Sequence, residues 1–96
     1  MRVISKKPLR EFWERHPESK TLMLAWFRKI SDTTASTFVE LRREFSAVDY
    51  VDRFTVFDVG GNHFRIAAVI HDNEQRLYVR QVMRHAEYDR NAWRKR

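Results

Sequence analysis

Apolar and polar positions alternate with two different periods along this chain, and the change of period divides it in two. In the first half the spacing is helical. Val3-Ile4-Ser5 predicts a short strand, after which Pro8 suits the first turn of a helix, where its missing N–H needs no partner. Leu9, Phe12, Trp13 and His16 follow at helical spacing, and Pro17 ends that run. A second helix is predicted from Glu18, with Leu22, Ala25, Trp26 and Ile30 on one face and Lys20, Arg28 and Lys29 largely elsewhere. The polar stretch Ser31 to Ser36 predicts a loop whose last residue caps a third helix, with Phe38, Leu41 and Phe45 as its buried stripe.

From about Asp52 the period shortens to that of a strand. Phe54–Val59 runs into Gly60-Gly61-Asn62, residues that tolerate the positive φ of a tight hairpin, so this run and Phe64–Ile70 should pair antiparallel. Asp72 to Gln75 makes a second polar turn into a strand from Arg76 to Met83, with Leu77 and Val79 on one face and Tyr78, Arg80 and Val82 on the other. His85 to Asp89 predicts a terminal turn or short helix, and a basic tail runs from Asn91 to Arg96. Helices followed by consecutive strands predict one α+β domain over residues 1–96, with an antiparallel sheet carrying the N-terminal helices on one face. The opposite face should stay open and gather Arg65, Arg80 and the His85–Asp89 segment on a single surface.

Composition sharpens this picture. At 96 residues and 43% hydrophobic, with 14% aromatic, the chain has room for one core and enough bulky rings to fill it. The net charge is +6, and 14 of the 19 cations are Arg, whose planar fork suits phosphate. An anionic partner is expected. Cysteine is absent, which excludes disulfides, thiolate nucleophiles and Cys-ligated zinc. The early charges at Arg2, Lys6 and Lys7 do not fit a secretory signal, and the longest apolar run, Leu22 to Phe27, is too short to span a bilayer. A soluble cytoplasmic protein without a membrane partner is expected.

His16, His63, His71 and His85 lack metal-ligand spacing, and the Gly60-Gly61 turn lacks the pattern of a phosphate loop, so neither metal nor small-molecule cofactor is expected. Trp13, Trp26 and Phe27, at helical spacing, are assigned to packing. Arg65 and Arg80 sit inside apolar strands, where a half-buried guanidinium needs an anion; that anion is either Asp58 or Asp89 within the chain or a bound phosphate. His85, Tyr88 and Asp89 put a near-neutral proton carrier, a phenol and a carboxylate within about one helical turn. With two arginines, these are the parts needed for transfer of a phosphoryl group to an RNA 2′-hydroxyl.

The run Phe54–Val59, Gly60-Gly61-Asn62-His63-Phe64-Arg65, Leu77-Tyr78-Val79-Arg80-Gln81-Val82-Met83 and His85-Ala86-Glu87-Tyr88-Asp89 resembles the HigB group of toxins in the RelE superfamily. Leu9-x-x-Phe12-Trp13-x-x-His16-Pro17 and Leu22-x-x-x-Trp26 fit the same group, so the resemblance covers nearly the whole chain. It implies a RelE-like fold and the toxin of a type II toxin–antitoxin pair, an endoribonuclease that cleaves mRNA on the ribosome and is neutralised by a HigA-like helix-turn-helix antitoxin. The group's site positions fall on Asn62, Arg65, Arg80, His85, Tyr88 and Asp89. Arg84 stands where Thr commonly precedes the His, which adds a phosphate contact. On this reading His85 or Tyr88 moves the proton, Asp89 orients a neighbour, Arg65 and Arg80 stabilise the transition state, and Lys20, Asn62, Arg42, Arg43 and Arg84 bind RNA. Two other functions compete: a ParE-like gyrase inhibitor without a nuclease site, and a non-catalytic RNA-binding module.

Overall fold

The computed structural model describes residues 1–45 and 47–95. Ser46 and Arg96, the last cation of the basic tail, lie outside the described residues. Strand β1 (Arg2–Val3) leads to helix α1 (Lys7–Arg15), a 3-10 turn at Pro17–Ser19, and helices α2 (Lys20–Asp32) and α3 (Phe38–Glu44). Strands β2 (Val48–Val51), β3 (Phe54–Val59), β4 (Phe64–His71) and β5 (Arg76–Arg84) follow, then helix α4 (His85–Asp89) and a 3-10 turn at Ala92–Lys95. The α+β class and the helices-then-strands order agree with the sequence reading.

The sheet is larger than the three consecutive strands expected from residues 54–83. It has five strands in the order β1-β5-β4-β3-β2, with β2 to β5 antiparallel and β1 parallel to β5. Strand β2 escapes the hydrophobic pattern because Asp49 and Tyr50 are both exposed and only Val48 is buried. The first strand lies slightly earlier than the Val3-Ile4-Ser5 prediction, fixed by hydrogen bonds from Arg2 N to Gln75 O (2.8 Å) and from Ile4 N to Leu77 O (2.8 Å). The β3–β4 turn carries φ of 73°, 58° and 81° at Gly60, Gly61 and Asn62, as a hairpin of this sequence should.

The main core lies between the helices and the inner sheet face. Leu9 and Phe12 of α1, Met23, Trp26 and Ile30 of α2 and Leu41 of α3 pack on Phe57, Val59, Ile66, Ala68, Leu77 and Val79, with Trp13, Phe27, Phe38 and Phe45 at its edge. Met23 replaces the expected Leu22 in the buried stripe of α2. Leu22 is 36% exposed and instead lies over Gly60, where an added Cβ would come within 2.7 Å of Leu22 Cδ1. The cap of α3 also moves by one residue. Thr37 Oγ1 accepts from Glu40 N at 3.1 Å, while Ser36, the expected cap, donates its N–H and O–H to the Glu40 carboxylate. Those two bonds from Ser36 lead the causes that hold Glu40 below its usual value of 4.5.

The outer sheet face is not left open. Phe54, Val56, Ala67 and Met83 form a second cluster closed by Trp93, which is only 4% exposed. Strand β5 also breaks its alternation. Ala68 pairs with Val79 and Ala67 with Gln81, so Arg80 is an extra residue in a bulge. After it Val82 turns to the inner core and Met83 to the outer cluster, whereas strict alternation would have put Val82 beside Arg80 and Tyr78.

Candidate functional site

The hairpin of β3 and β4 and the short helix α4 meet at one end of the outer face. They are tied by a hydrogen bond from His85 N to His63 O at 3.0 Å. Helix α4 begins at Arg84, whose backbone N–H and Nε–H both donate to Glu87 Oε1, at 3.0 and 3.3 Å. The backbone bond is the main reason the Glu87 carboxyl sits below its usual value of 4.5, against a smaller opposing effect of burial and with further help from the Arg84 and His16 charges.

Arg65 is the centre of the site. Its side chain is 12% exposed and pairs with Asp58, the residue opposite it in the β3–β4 ladder, through Nη1 to Oδ1 at 3.2 Å. Nη1 also donates to Phe64 O at 3.2 Å, and Nη2 donates to Asn62 Oδ1. Asn62 N in turn donates to Asp58 Oδ1 at 2.8 Å, so the turn, the carboxylate and the guanidinium form one network. A guanidinium has five donors. Nε–H and the second Nη2–H find no acceptor among the described residues. The guanidinium carbon lies 5.2 Å from the centre of the Tyr88 ring. Of the two internal anions the sequence allowed, Asp58 is therefore the one used.

On α4, one turn apart, His85 Nε2 meets Asp89 Oδ2 at 3.1 Å. The other ring nitrogen, Nδ1, is buried and has no partner among the described residues. Proton exchange by this imidazole thus runs through Nε2. His85 lines an open groove of about 700 Å³ together with His16, Asn62, His63 and Arg84. Arg65 and Tyr88 line a neighbouring groove of about 440 Å³ with Asp58 and Arg42. Among the described residues no group of three or more His, Asp or Glu could hold a metal ion, and no helix is long and apolar enough to cross a membrane.

The expected site residues are therefore only partly assembled. Asn62, Arg65, Arg84, His85, Tyr88 and Asp89 gather where α4 meets the hairpin. Arg80 does not join Arg65 on the outer face. The bulge turns it to a third groove beside α1, lined by Pro8, Glu11 and Arg15, with its guanidinium 5.8 Å from the Tyr78 ring. Lys20, exposed at the start of α2, lines none of these grooves. Trp93 was missed altogether. Its ring stacks on Tyr88, with centroids 5.3 Å apart and planes 22° apart. The available signal was a large indole in an otherwise charged tail, which is seldom left to solvent.

Residues 19–91 match the HigB toxin family model, described as the RelE-like toxic component of a toxin-antitoxin system. The mRNA interferase HigB of Escherichia coli O6:H1 is 36% identical over 93 residues, covering 94% of this chain and 90% of that protein. The mRNA interferase toxin HigB of Escherichia coli K12 and the mRNA interferase HigB of Shigella flexneri are each 35% identical over 92 residues, covering 93% of this chain and 88% of theirs. The match over residues 19–91 and the 35–36% identity over nearly the whole chain show that it belongs to the HigB family of RelE-like toxins of toxin–antitoxin systems.

Proposed function

We propose that the protein is an mRNA-cleaving endoribonuclease that halts translation, acts in the cytoplasm on ribosome-bound message, and is held in check by a HigA-like helix-turn-helix antitoxin. The names of its relatives support the substrate class, and one observation carries the chemistry. Arg65 is fixed by Asp58, Asn62 and Phe64 with two donors still unused, against the ring of Tyr88. A donor set held in place before substrate arrives stabilises developing charge without reorganising.

In the reaction, the 2′-oxygen of one nucleotide attacks the adjacent phosphorus and the bond from phosphorus to the 5′-oxygen of the next nucleotide breaks. The His85–Asp89 pair takes the 2′-hydroxyl proton, Arg65 binds the non-bridging oxygens as the phosphorane forms, and Tyr88 O–H protonates the leaving 5′-oxygen. The products are a 2′,3′-cyclic phosphate and a 5′-hydroxyl end. No metal is needed for this balance.

Arg80 takes a different part from the one its strand position suggested. Arg15 joins its groove to a neighbouring one that also holds Arg90, and none of the three has a carboxylate partner among the described residues. Together they grip RNA phosphates flanking the cleavage point. Arg84 and Asn62 contact the RNA nearer the cut, and Lys20 adds long-range attraction only.

The test is induction of the wild type, Arg65→Ala and His85→Ala followed by mapping of mRNA ends. Wild type should arrest growth and create new ends. Arrest and cleavage that survive both substitutions would sink the reading.

A further inference from the structure

We propose that Trp93 is a positioning residue of the cleavage reaction, fixing the Tyr88 phenol against Arg65. The proposal rests on the reading of Tyr88 as the proton donor. Trp93 stands two residues beyond the segment that the family model matches.

Helix α4 cannot hold Tyr88 by itself. It has five residues and buries none of them, and a single helical turn of that length has little stability of its own. What holds the ring comes from further along the chain. At Asn91 the backbone takes a φ of 61°, which turns the chain back, and Asn91 N donates to Tyr88 O at 3.1 Å. Trp93 then reaches under Tyr88 in two ways: its ring stacks on the phenol ring, and its Nε1–H donates to Tyr88 O at 3.0 Å.

Trp93 is itself rigid. Its indole meets Phe54 edge-on with centroids 5.4 Å apart, and it lies in the cluster of Val56, Ala67 and Met83. Gln81 Nε2 donates to its carbonyl at 3.1 Å. The sheet thus sets the indole, the indole sets the phenol, and the phenol ring lies against the guanidinium. Such stacks have preferred offsets, so the indole limits both the height and the tilt of the Tyr88 ring.

The experiment measures single-turnover cleavage of a defined mRNA on purified ribosomes, giving a saturating rate and a half-saturating concentration. Trp93→Leu keeps apolar bulk without a stack and should lower the saturating rate about 10- to 100-fold, the scale of a small misplacement, with half-saturation changed by less than about twofold. Trp93→Phe keeps a stack but loses the Nε1–H bond to Tyr88 O, and should lower the saturating rate about three- to fivefold. Both substitutions are repeated in Tyr88→Phe, where each should cost less than about a further twofold, because the hydroxyl they position is gone. Thermal melts accompany each variant. If Trp93→Leu melts below the assay temperature, the smaller Trp93→Phe loss carries the same cycle. Equal losses with and without the Tyr88 hydroxyl, or no loss in folded variants, would overturn the role of Trp93. A Tyr88→Phe protein with wild-type rate would instead overturn the donor assignment and leave Trp93 as packing alone.

Discussion

Asp58 and Arg65 are direct partners in the β3–β4 ladder, and both side chains point to the outer face, so the ion pair at the heart of the site is a cross-strand pair as well. The hairpin register therefore sets the position of the guanidinium. A slip of either strand by one residue would turn one of the two groups into the inner core and part the pair.

Removing Asp58 should hurt stability and chemistry together. Asp58→Ala leaves a mostly buried guanidinium without its counter-charge and is expected to destabilise the fold by about 2–3 kcal/mol in chemical denaturation. Arg65→Lys keeps the charge but not the fork, so it should fold while losing most of the cleavage rate.

The arginine groove should be separable from bulk charge. Changing Arg15, Arg80 and Arg90 to Gln is expected to lower affinity for single-stranded RNA and reduce the salt slope by about 2, measured in a His85→Ala background by fluorescence anisotropy. Changing Arg2, Arg10 and Arg28 to Gln removes the same charge and should do much less. Equal effects from the two sets would mean that only net charge matters.

Gly60 carries two constraints at once, a positive φ and the close approach of Leu22. Gly60→Ala should cost about 1–3 kcal/mol by thermal or urea melts. Adding Leu22→Ala should recover the steric part and leave about 1 kcal/mol for the backbone conformation.

The start of α4 should weaken in acid. Glu87 titrates below its unfolded value, so its contribution is complete above pH 4.5 and is lost as pH falls through the lower folded value. Glu87→Gln should reduce stability by less than about 1 kcal/mol at neutral pH, since the carboxylate is partly exposed. The difference from wild type should shrink as pH falls below 4.5 in a melting series; a difference that does not change with pH would place the effect elsewhere.

Residues with one dominant local preference were legible in the sequence. Phe54–Val59 was bounded correctly by its alternation and by the Gly60-Gly61-Asn62 turn, and Pro8 and Pro17 marked the ends of α1. His85, Tyr88 and Asp89 could be grouped because one helical turn joins them. Features set by distant contacts were not legible. Strand β2 exists because Val48 to Val51 pairs with β3, whatever its own polarity. Leu22 and Met23 are equally apolar, and only the neighbouring hairpin decides which is buried. Trp93 needed a chain reversal at Asn91 that an Asn in a charged tail does not announce.

The bulge in β5 has a further consequence for how this strand can vary. Val79 faces the inner core and Gln81 the outer cluster, so joining them directly would restore unbroken alternation from Leu77 to Met83. Position 80 could be excised without re-facing a single neighbour. The fold does not require a residue there, and what occupies the place is answerable only to what lies outside the sheet: it is a socket in which the side chain can change with the partner while the strand stays as it is.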